Sequence, residues 1–190
     1  MNNEPMNNGK SADQQISKSA NQQISEWRMA NGESPTSNLQ SPTSNLQPPT
    51  SNFQPEITVF MCIYCAYMAA DTAGALRIKY PANVKLVKLP CTGKTDVRYL
   101  LEAFAQGADG VCVVGCPIGN CHHVHGNVRG RARVEYAKAL LDQIGLGGKR
   151  LEMYFVSGGM GNTFANAIRE MTERVKKVGP NPLRSVKRET

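Results

Sequence analysis

Three short apolar runs in this 190-residue chain each lead directly into cysteine residues. The first run is short and apolar enough to be a β-strand that is covered on both faces. The runs and their cysteines are Ile57–Met61 with Cys62 and Cys65, Val84–Leu89 with Cys91, and Val111–Val114 with Cys116 and Cys121. A fold for this chain therefore has to explain three apolar runs that deliver cysteines at corresponding ends.

Segments with helical periodicity alternate with these runs, and a fourth apolar run follows at Leu151–Val156. The predicted helices cover residues 65–79, a segment after the N-cap signal Thr95-Asp96, residues 131–144 and residues 163–178. Four strand-then-helix units predict an α/β fold with right-handed crossovers. We expect a four-stranded or slightly larger parallel sheet with helices on both faces, of the flavodoxin-like kind.

The carboxyl ends of parallel strands meet at one edge of the sheet, where such folds bind their ligands. The five loop cysteines, which are Cys62, Cys65, Cys91, Cys116 and Cys121, should therefore lie near one another. Cys112 differs because it lies inside the third run between two valines. We predict that it packs as a small buried apolar residue.

The chain outside this domain has a different composition. Residues 1–55 are rich in Asn, Gln, Ser and Pro, and they contain the repeat Ser34–Gln40, which recurs as 41–47 and in a varied form as 48–54. Such a stretch buries too little apolar surface to offset its ordering entropy, so a disordered tether is expected. The predicted organisation is a tail at 1–55, a domain at 56–180 and a basic C-terminal tail at 181–190.

The formal charge of +7 belongs to the domain, because the first 54 residues hold three basic and four acidic residues. A basic domain suits an anionic cofactor or an acidic partner as well as nucleic acid, and no nucleic-acid recognition motif accompanies it. No signal peptide or apolar run of about 18 residues is visible, which predicts a cytoplasmic protein. In a reducing compartment, cysteines at this density indicate metal or redox chemistry.

Three kinds of chemistry fit the cysteines. A C-x-x-C at the start of a helix can be a redox-active dithiol, but that site needs only two sulfurs. Zinc accepts four thiolates, although the C-x₄-C spacing of the central loop is wider than in most structural zinc knuckles. An iron–sulfur cluster fits better, because Gly and Pro residues near the second and third cysteine loops let backbone N–H groups approach cluster sulfurs.

Other polar residues follow the central cysteine loop. They are the histidines His122, His123 and His125 and the arginines Arg129, Arg131 and Arg133. The histidines are candidates for cluster ligands, second-sphere hydrogen bonding or surface positions, and the arginines for neutralising an anionic cluster, contacting an acidic partner or starting a solvated helix. The glycine-rich segment Ser157–Asn162 suits an anion at a helix N-terminus, but it matches no complete nucleotide-binding motif.

At these motifs the chain resembles a known family, the iron–sulfur delta subunit of methyl-viologen-reducing hydrogenase. The resemblance covers about residues 56–180. It rests on Cys62–Tyr67 with Ala70–Gly74, Leu89–Lys94, Leu101–Phe104 with Gly107–Val111, and Gly115–His122. The family's third loop tends to read Cys-His-Pro-Gly-Asp-Cys-His-Tyr, where this chain has Cys-Pro-Ile-Gly-Asn-Cys-His-His.

The resemblance implies a [2Fe–2S] cluster that relays single electrons. The donor would be a hydrogenase or a formate dehydrogenase-type enzyme, and the acceptor a flavin-containing heterodisulfide-reductase-like subunit. On this basis we expect Cys62 and Cys65 on one iron and Cys116 and Cys121 on the other, with Cys91 beside the cluster. A zinc-stabilised interaction module and a C-x-x-C thiol oxidoreductase remain the alternatives. No assembly of catalytic acid, base and nucleophile is apparent.

Overall fold

The computed structural model describes residues 53–184, so residues 1–52 of the predicted tail and residues 185–190 of the basic tail lie outside the described residues. The elements are β1 (Ile57–Cys62), α1 (Ala66–Ala75), β2 (Val84–Leu89), α2 (Val97–Ala105), β3 (Gly110–Gly115), α3 (Gly126–Gln143), β4 (Leu151–Phe155) and α4 (Gly161–Val178). Short 3₁₀ turns occupy residues 92–94, 148–150 and 182–184. Among the helices of residues 53–184, none has the length and apolar character that crossing a membrane requires.

The four strands form one parallel sheet in the order β2-β1-β3-β4, which confirms the predicted α/β fold. Ile57 of β1 lies opposite Val84 of β2 and Gly110 of β3, so the strands start nearly level. The chain moves outward from β1 to β2 and then returns to place β3 on the other side of β1. This reversal creates a crevice at the carboxyl ends of β1 and β3, where ligands bind in sheets of this kind.

Helices cover both faces of the sheet at β1 and β3, whereas β2 at the edge is mostly exposed. On one face, alternate residues of β1 and β3 pack with α1 and α4, including Val59, Cys112 and Phe164. On the other face, Phe60 and Val113 pack with α2 and α3. Cys112 is fully buried, which confirms its predicted role, and burial raises the pKa of its thiol to about 12.

The two largest differences from the sequence-based expectation are at helix boundaries. Helix α1 ends at Ala75 because Arg77 turns the chain with a positive φ of 54°, well before the proline at position 81. Helix α3 begins at Gly126, five residues before the predicted start at Arg131. Glycine disfavours helices by roughly 1 kcal/mol. Helix propensity therefore does not predict a first turn that contains Gly126 and lies before Gly130. Tertiary contacts of both glycines, described below, explain their presence.

The amino-terminal edge of the sheet is closed by a buried polar network around Asp109. Its carboxylate accepts hydrogen bonds from the Glu56 N–H (2.8 Å), the Asn181 N–H (2.8 Å) and Arg184 Nη1 (2.7 Å). The guanidinium of Arg150 donates to the carbonyl oxygens of residues 109, 146, 179 and 180. These contacts fasten the segment that follows α4 to the starts of β1, β3 and β4.

Replacing Asp109 with alanine should destabilise the domain by about 3 kcal/mol, because two buried N–H groups and one guanidinium lose their acceptor. Urea unfolding of the metal-free, reduced chain, followed by circular dichroism, measures the change. The matched control is Glu173→Ala, since Glu173 is exposed and, among residues 53–184, pairs only with Lys176 (2.9 Å); it should cost less than about 0.5 kcal/mol. Equal stability of the two variants would contradict this role of Asp109.

The outer strand β4 carries a second ionic group. Glu152 contacts Lys138 Nζ at 2.7 Å and Arg174 Nη1 at 2.5 Å. Partial burial alone would raise the pKa of Glu152, but hydrogen bonds from Lys138 and Arg174 outweigh this effect and lower the pKa. The folded state therefore favours the ionised carboxylate more than the unfolded chain does.

This pKa difference predicts a pH-dependent contribution to stability. Because the folded pKa lies below the unfolded value, the contribution is present above about pH 4.5 and is lost as pH falls through the folded pKa. Glu152→Gln should lower the free energy of unfolding by about 1 kcal/mol at pH 7 and by much less at about pH 3. Urea titrations at both pH values test this, and a difference from wild type that is unchanged at low pH would contradict it.

Candidate metal centre

All five loop cysteines lie at the carboxyl edge of the sheet, where their strands deliver them. Cys62 is the last residue of β1, and Cys65 is the residue that precedes α1. Cys91 lies two residues after β2 and immediately before a 3₁₀ turn. Cys116 follows β3 directly, and Cys121 lies later in the same loop, before α3. Three loops therefore contribute thiols to one region of the surface.

The five sulfurs form a group of three and a group of two. Cys62 Sγ lies 3.6 Å from Cys116 Sγ, and the sulfurs of Cys62, Cys65 and Cys116 are all within 4.8 Å of one another. In the second group, Cys91 Sγ lies 3.9 Å from Cys121 Sγ. The two cysteines of the central loop thus belong to different groups, and Cys91 has a close sulfur neighbour.

The group of three is the more buried one. Cys62 is 1% exposed and Cys116 is 3% exposed, and the backbone N–H of Cys65 donates to Cys62 Sγ at 3.4 Å. Burial raises the pKa of Cys116, and hydrogen bonding with Cys65 and the charge of Cys62 raise it further. A thiolate at this position requires a nearby positive charge, which a bound metal ion supplies.

The group of two lies at the N-terminus of α3. For Cys121, burial alone would raise the thiol pKa, but hydrogen bonds from the backbone N–H groups of His123, Asn127 and Gly126, together with the Cys91 thiol, lower it. Burial raises the pKa of Cys91, and its sulfur neighbour Cys121 adds to this effect. The helix N-terminus therefore favours a thiolate at Cys121, which is the form that ligates metals.

Glycine residues allow the Cys91 loop to approach α3 this closely. A Cβ atom on Gly126 would lie 2.1 Å from Cys91 Sγ and 3.1 Å from Cys121 Sγ. A Cβ atom on Gly93 would lie 2.8 Å from the Cα atom of Gly126. One turn farther along α3, a Cβ atom on Gly130 would lie 2.9 Å from the carbonyl oxygen of Thr92. Larger side chains at these positions would displace the thiols from their present places.

Two side chains of α3 hold the cysteine loops by hydrogen bonds to their backbones. The fully buried Asn127 donates from Nδ2 to the carbonyl oxygens of Cys116 (3.1 Å) and Pro117 (2.7 Å). Arg133 Nη1 donates to the carbonyl oxygens of Gly93 (2.6 Å) and Thr95 (3.0 Å). One helix therefore fixes the loop after β2 and the loop after β3 relative to each other.

The histidines, arginines and glycine-rich segment that the sequence singles out differ in their relation to the thiols. The three histidines are exposed, and the ring of His122 stacks on Tyr64 with centroids 3.9 Å apart and planes at 20°. Within residues 53–184, the side chains of Arg129 and Arg131 make no hydrogen bond to a cysteine loop, whereas the side chain of Arg133 does. In the glycine-rich segment after β4, the carbonyl oxygen of Gly158 accepts from Thr72 Oγ1 at 2.8 Å, which ties the segment to α1.

Sequence reasoning missed Asn127 and Gly126 as parts of the site. Both lie before Arg131, in a turn that helical periodicity does not reveal. The available signal was the pair of glycines at positions 126 and 130, whose i, i+4 spacing places them on one side of a helix. Two glycines on one side of a helix indicate close approach by another backbone.

Comparison with known families adds independent information. The family described as "Methyl-viologen-reducing hydrogenase, delta subunit" matches residues 57–179, which includes every strand and helix of the described domain and all five loop cysteines. This match confirms the resemblance that the sequence motifs indicated.

Individual relatives agree with the family match. A vhu iron–sulfur subunit of F420-non-reducing hydrogenase from Methanocaldococcus jannaschii is 50% identical over 129 residues, which is 68% of this chain and 96% of that protein. An iron–sulfur subunit of F420-non-reducing hydrogenase from Archaeoglobus profundus is 38% identical over 66% of this chain and 91% of that protein. A subunit of the ferredoxin/F(420)H(2)-dependent CoB-CoM heterodisulfide reductase of Methanosarcina acetivorans is 37% identical over 65% of this chain, but the match spans only 16% of that protein. The chain belongs to the family of the delta subunit of methyl-viologen-reducing hydrogenase.

Proposed function

We propose that this chain is an electron-transfer subunit that holds one [2Fe–2S] cluster at the carboxyl edge of its sheet. Its donor is a hydrogenase or a formate dehydrogenase-type enzyme, and its acceptor is a flavin-containing heterodisulfide-reductase-like subunit. The names of the relatives, which are iron–sulfur subunits of hydrogenases and a subunit of a heterodisulfide reductase, support this assignment. A cytoplasmic location remains a prediction from the sequence.

The observation that carries the proposal is the spacing of the sulfurs. Two sulfurs that bind one tetrahedral metal through bonds of about 2.3 Å lie about 3.8 Å apart. The separations of 3.6 Å for Cys62 with Cys116 and 3.9 Å for Cys91 with Cys121 both suit such a shared metal. A [2Fe–2S] cluster requires two metals with two cysteine ligands each, so the donor set fits this group.

This spacing supports a ligand set that differs from the sequence-based partition. We assign Cys62 and Cys116 to one iron and Cys91 and Cys121 to the other. Cys65 then stands beside the cluster, with its backbone N–H directed at Cys62 Sγ. The partition that left out Cys91 would require Cys116 and Cys121 to share an iron, although each has another sulfur as its close neighbour.

The protein's contribution is to hold the thiolates rigidly and to set the charge around them. When bound, the cluster accepts and releases one electron at a time. The hydrogen bonds from Asn127 and Arg133 to the loop backbones restrict movement of two cysteine loops when the charge of the cluster changes. Backbone N–H groups near Cys62, Cys91 and Cys121 donate to sulfur and stabilise negative charge there, which favours the reduced form.

Electron paramagnetic resonance of the anaerobically purified, dithionite-reduced chain tests the proposal, with iron, sulfide and zinc counted on the same sample. The proposal predicts two irons and two sulfides per chain and a signal of a reduced [2Fe–2S] centre. One zinc and no signal would support the zinc-stabilised module instead. A metal-free chain with dithiol activity at Cys62 and Cys65 would support the thiol oxidoreductase.

Single cysteine-to-alanine variants should separate the two ligand partitions. Cys91→Ala and Cys121→Ala should lose most of the iron and the resonance signal, because each removes a ligand of the same iron. Cys65→Ala should keep the signal. Cys112→Ala is the matched control, since Cys112 is buried in β3 away from the edge and should also keep the signal. A retained signal in Cys91→Ala together with a lost signal in Cys65→Ala would contradict this assignment and support the sequence-based ligand set.

A glycine substitution tests the role of the close contact at α3. Gly126→Ala places a methyl group where Cys91 Sγ lies, so the iron retained during chelator challenge should fall by about tenfold. Gly159→Ala is the control, because a Cβ atom at that exposed position meets no atom within 4 Å. Iron retention measured by absorbance after incubation with a chelator distinguishes them. Similar retention by both variants would show that the Cys91 position does not matter for the cluster.

A further inference from the structure

The hydroxyl group of Thr92 is buried and has no hydrogen-bond partner among residues 53–184. The residue is only 1% exposed, so bulk solvent does not satisfy the hydroxyl. A buried polar group without a partner costs about 1–3 kcal/mol, and valine, which has nearly the same shape, would avoid that cost. A threonine at this position therefore indicates a partner that the described residues do not supply.

The side chain of Thr92 lies where two thiol-bearing segments meet. Thr92 follows Cys91 directly and begins the 3₁₀ turn after β2. A Cβ atom on Gly115 would lie 3.0 Å from Thr92 Oγ1 and 2.9 Å from Thr92 Cγ2. Gly115 is the last residue of β3, and Cys116 follows it. Because Cys91 and Cys116 are assigned to different irons, Thr92 lies beside the segments that hold one ligand of each.

Thr92 also packs closely against α3. A Cβ atom on Gly130 would lie 2.9 Å from the carbonyl oxygen of Thr92 and 3.2 Å from its Cβ atom. One glycine on β3 and one on α3 thus leave the space that Thr92 occupies. Threonine is β-branched and has few rotamers, so this packing holds the hydroxyl in a defined position at the carboxyl edge of the sheet.

The chemistry of the thiol site indicates the missing partner. Backbone N–H groups donate to the sulfurs of Cys91 and Cys121. Cys116 Sγ instead forms hydrogen bonds with the neighbouring thiols of Cys62 and Cys65. Metal-bound thiolates and sulfides carry negative charge and accept hydrogen bonds, so a hydroxyl donor beside them is well matched.

We propose that the Thr92 hydroxyl donates a hydrogen bond to a sulfur atom of the [2Fe–2S] centre and thereby raises its reduction potential. This inference rests on the proposed function. Reduction adds one negative charge to the centre, and a hydrogen-bond donor stabilises that charge more in the reduced form than in the oxidised form. Unlike a backbone N–H group, a hydroxyl depends on the side chain, so residue 92 is a position at which the sequence sets the potential.

Thr92→Val tests this proposal directly, because it removes the hydroxyl and keeps the shape of the side chain. The midpoint potential is measured on the anaerobically purified chain by redox titration, with the reduced form followed by electron paramagnetic resonance. We expect the equilibrium constant for reduction to fall by about tenfold, which is about 59 mV for a one-electron couple. Thr92→Ala should shift the potential in the same direction. Thr92→Ser retains a hydroxyl and should stay within about twofold of wild type.

The metal-free, reduced chain provides a readout that separates this role from a structural one. Without a bound centre the hydroxyl has no acceptor among residues 53–184, so Thr92→Val should leave the urea midpoint of unfolding unchanged or raise it. A residue that only supported the fold would lower the urea midpoint when replaced and would leave the potential unchanged.

Thr95→Val is the matched control. Thr95 follows the same 3₁₀ turn and is fully buried, and its hydroxyl also lacks a partner among residues 53–184. It is not adjacent to a cysteine in sequence, so Thr95→Val should leave the equilibrium constant within about twofold. A buried water that bridges both hydroxyls is the alternative partner, because such waters satisfy neighbouring polar groups.

Three results would overturn the proposal. They are an unchanged potential in Thr92→Val and Thr92→Ala, equal shifts in Thr92→Val and Thr95→Val, and a crystal structure of the cluster-bound chain in which a water bridges Thr92 Oγ1 and Thr95 Oγ1. A wild-type chain without a [2Fe–2S] signal would contradict the proposed function instead, so the two failures are distinguishable.

Discussion

The contact between the Cys91 loop and the first turn of α3 is the constraint on which the site depends. Gly93 and Gly126 meet backbone to backbone, and this allows the Cys91 sulfur to lie beside Cys121 at the helix N-terminus. The same helix holds the Cys116 loop through Asn127 and the Cys91 loop through Arg133. Without α3 in this position, the thiols from β2 and β3 would have no fixed relation to each other. The sheet order then places Cys62 next to Cys116 at the switch point between β1 and β3.

The fold was predictable from the sequence, because its main signals are local. Four apolar runs and four segments with helical spacing indicate four strands and four helices in the correct order. The meeting of all five cysteines at one edge also followed, since parallel strands end together. The true start of α3 was not predictable from propensity, because Gly126 and Gly130 serve a tertiary contact rather than the helix itself.

The grouping of the sulfurs was likewise beyond a sequence argument. Cys116 and Cys121 share one loop, and the sequence-based partition placed both on one iron. The backbone between them turns through Gly119, whose φ is +86°, and carries Cys121 to the N-terminus of α3 while Cys116 stays at the end of β3. Which sulfurs become neighbours is therefore decided by the loop's path and by its anchors. The roles of Asn127 and Arg133 were not predictable either, because residue type alone does not reveal a hydrogen bond to a distant backbone carbonyl.

Diffraction from crystals of the anaerobically purified chain, recorded at the iron absorption edge, locates the iron atoms relative to the five sulfurs. We expect two anomalous peaks, one between the sulfurs of Cys62 and Cys116 and the other between those of Cys91 and Cys121. Cys65 should lie outside the coordination of both. A single peak at the zinc edge within the group of Cys62, Cys65 and Cys116, or iron bound by Cys65 with Cys91 free, would contradict it.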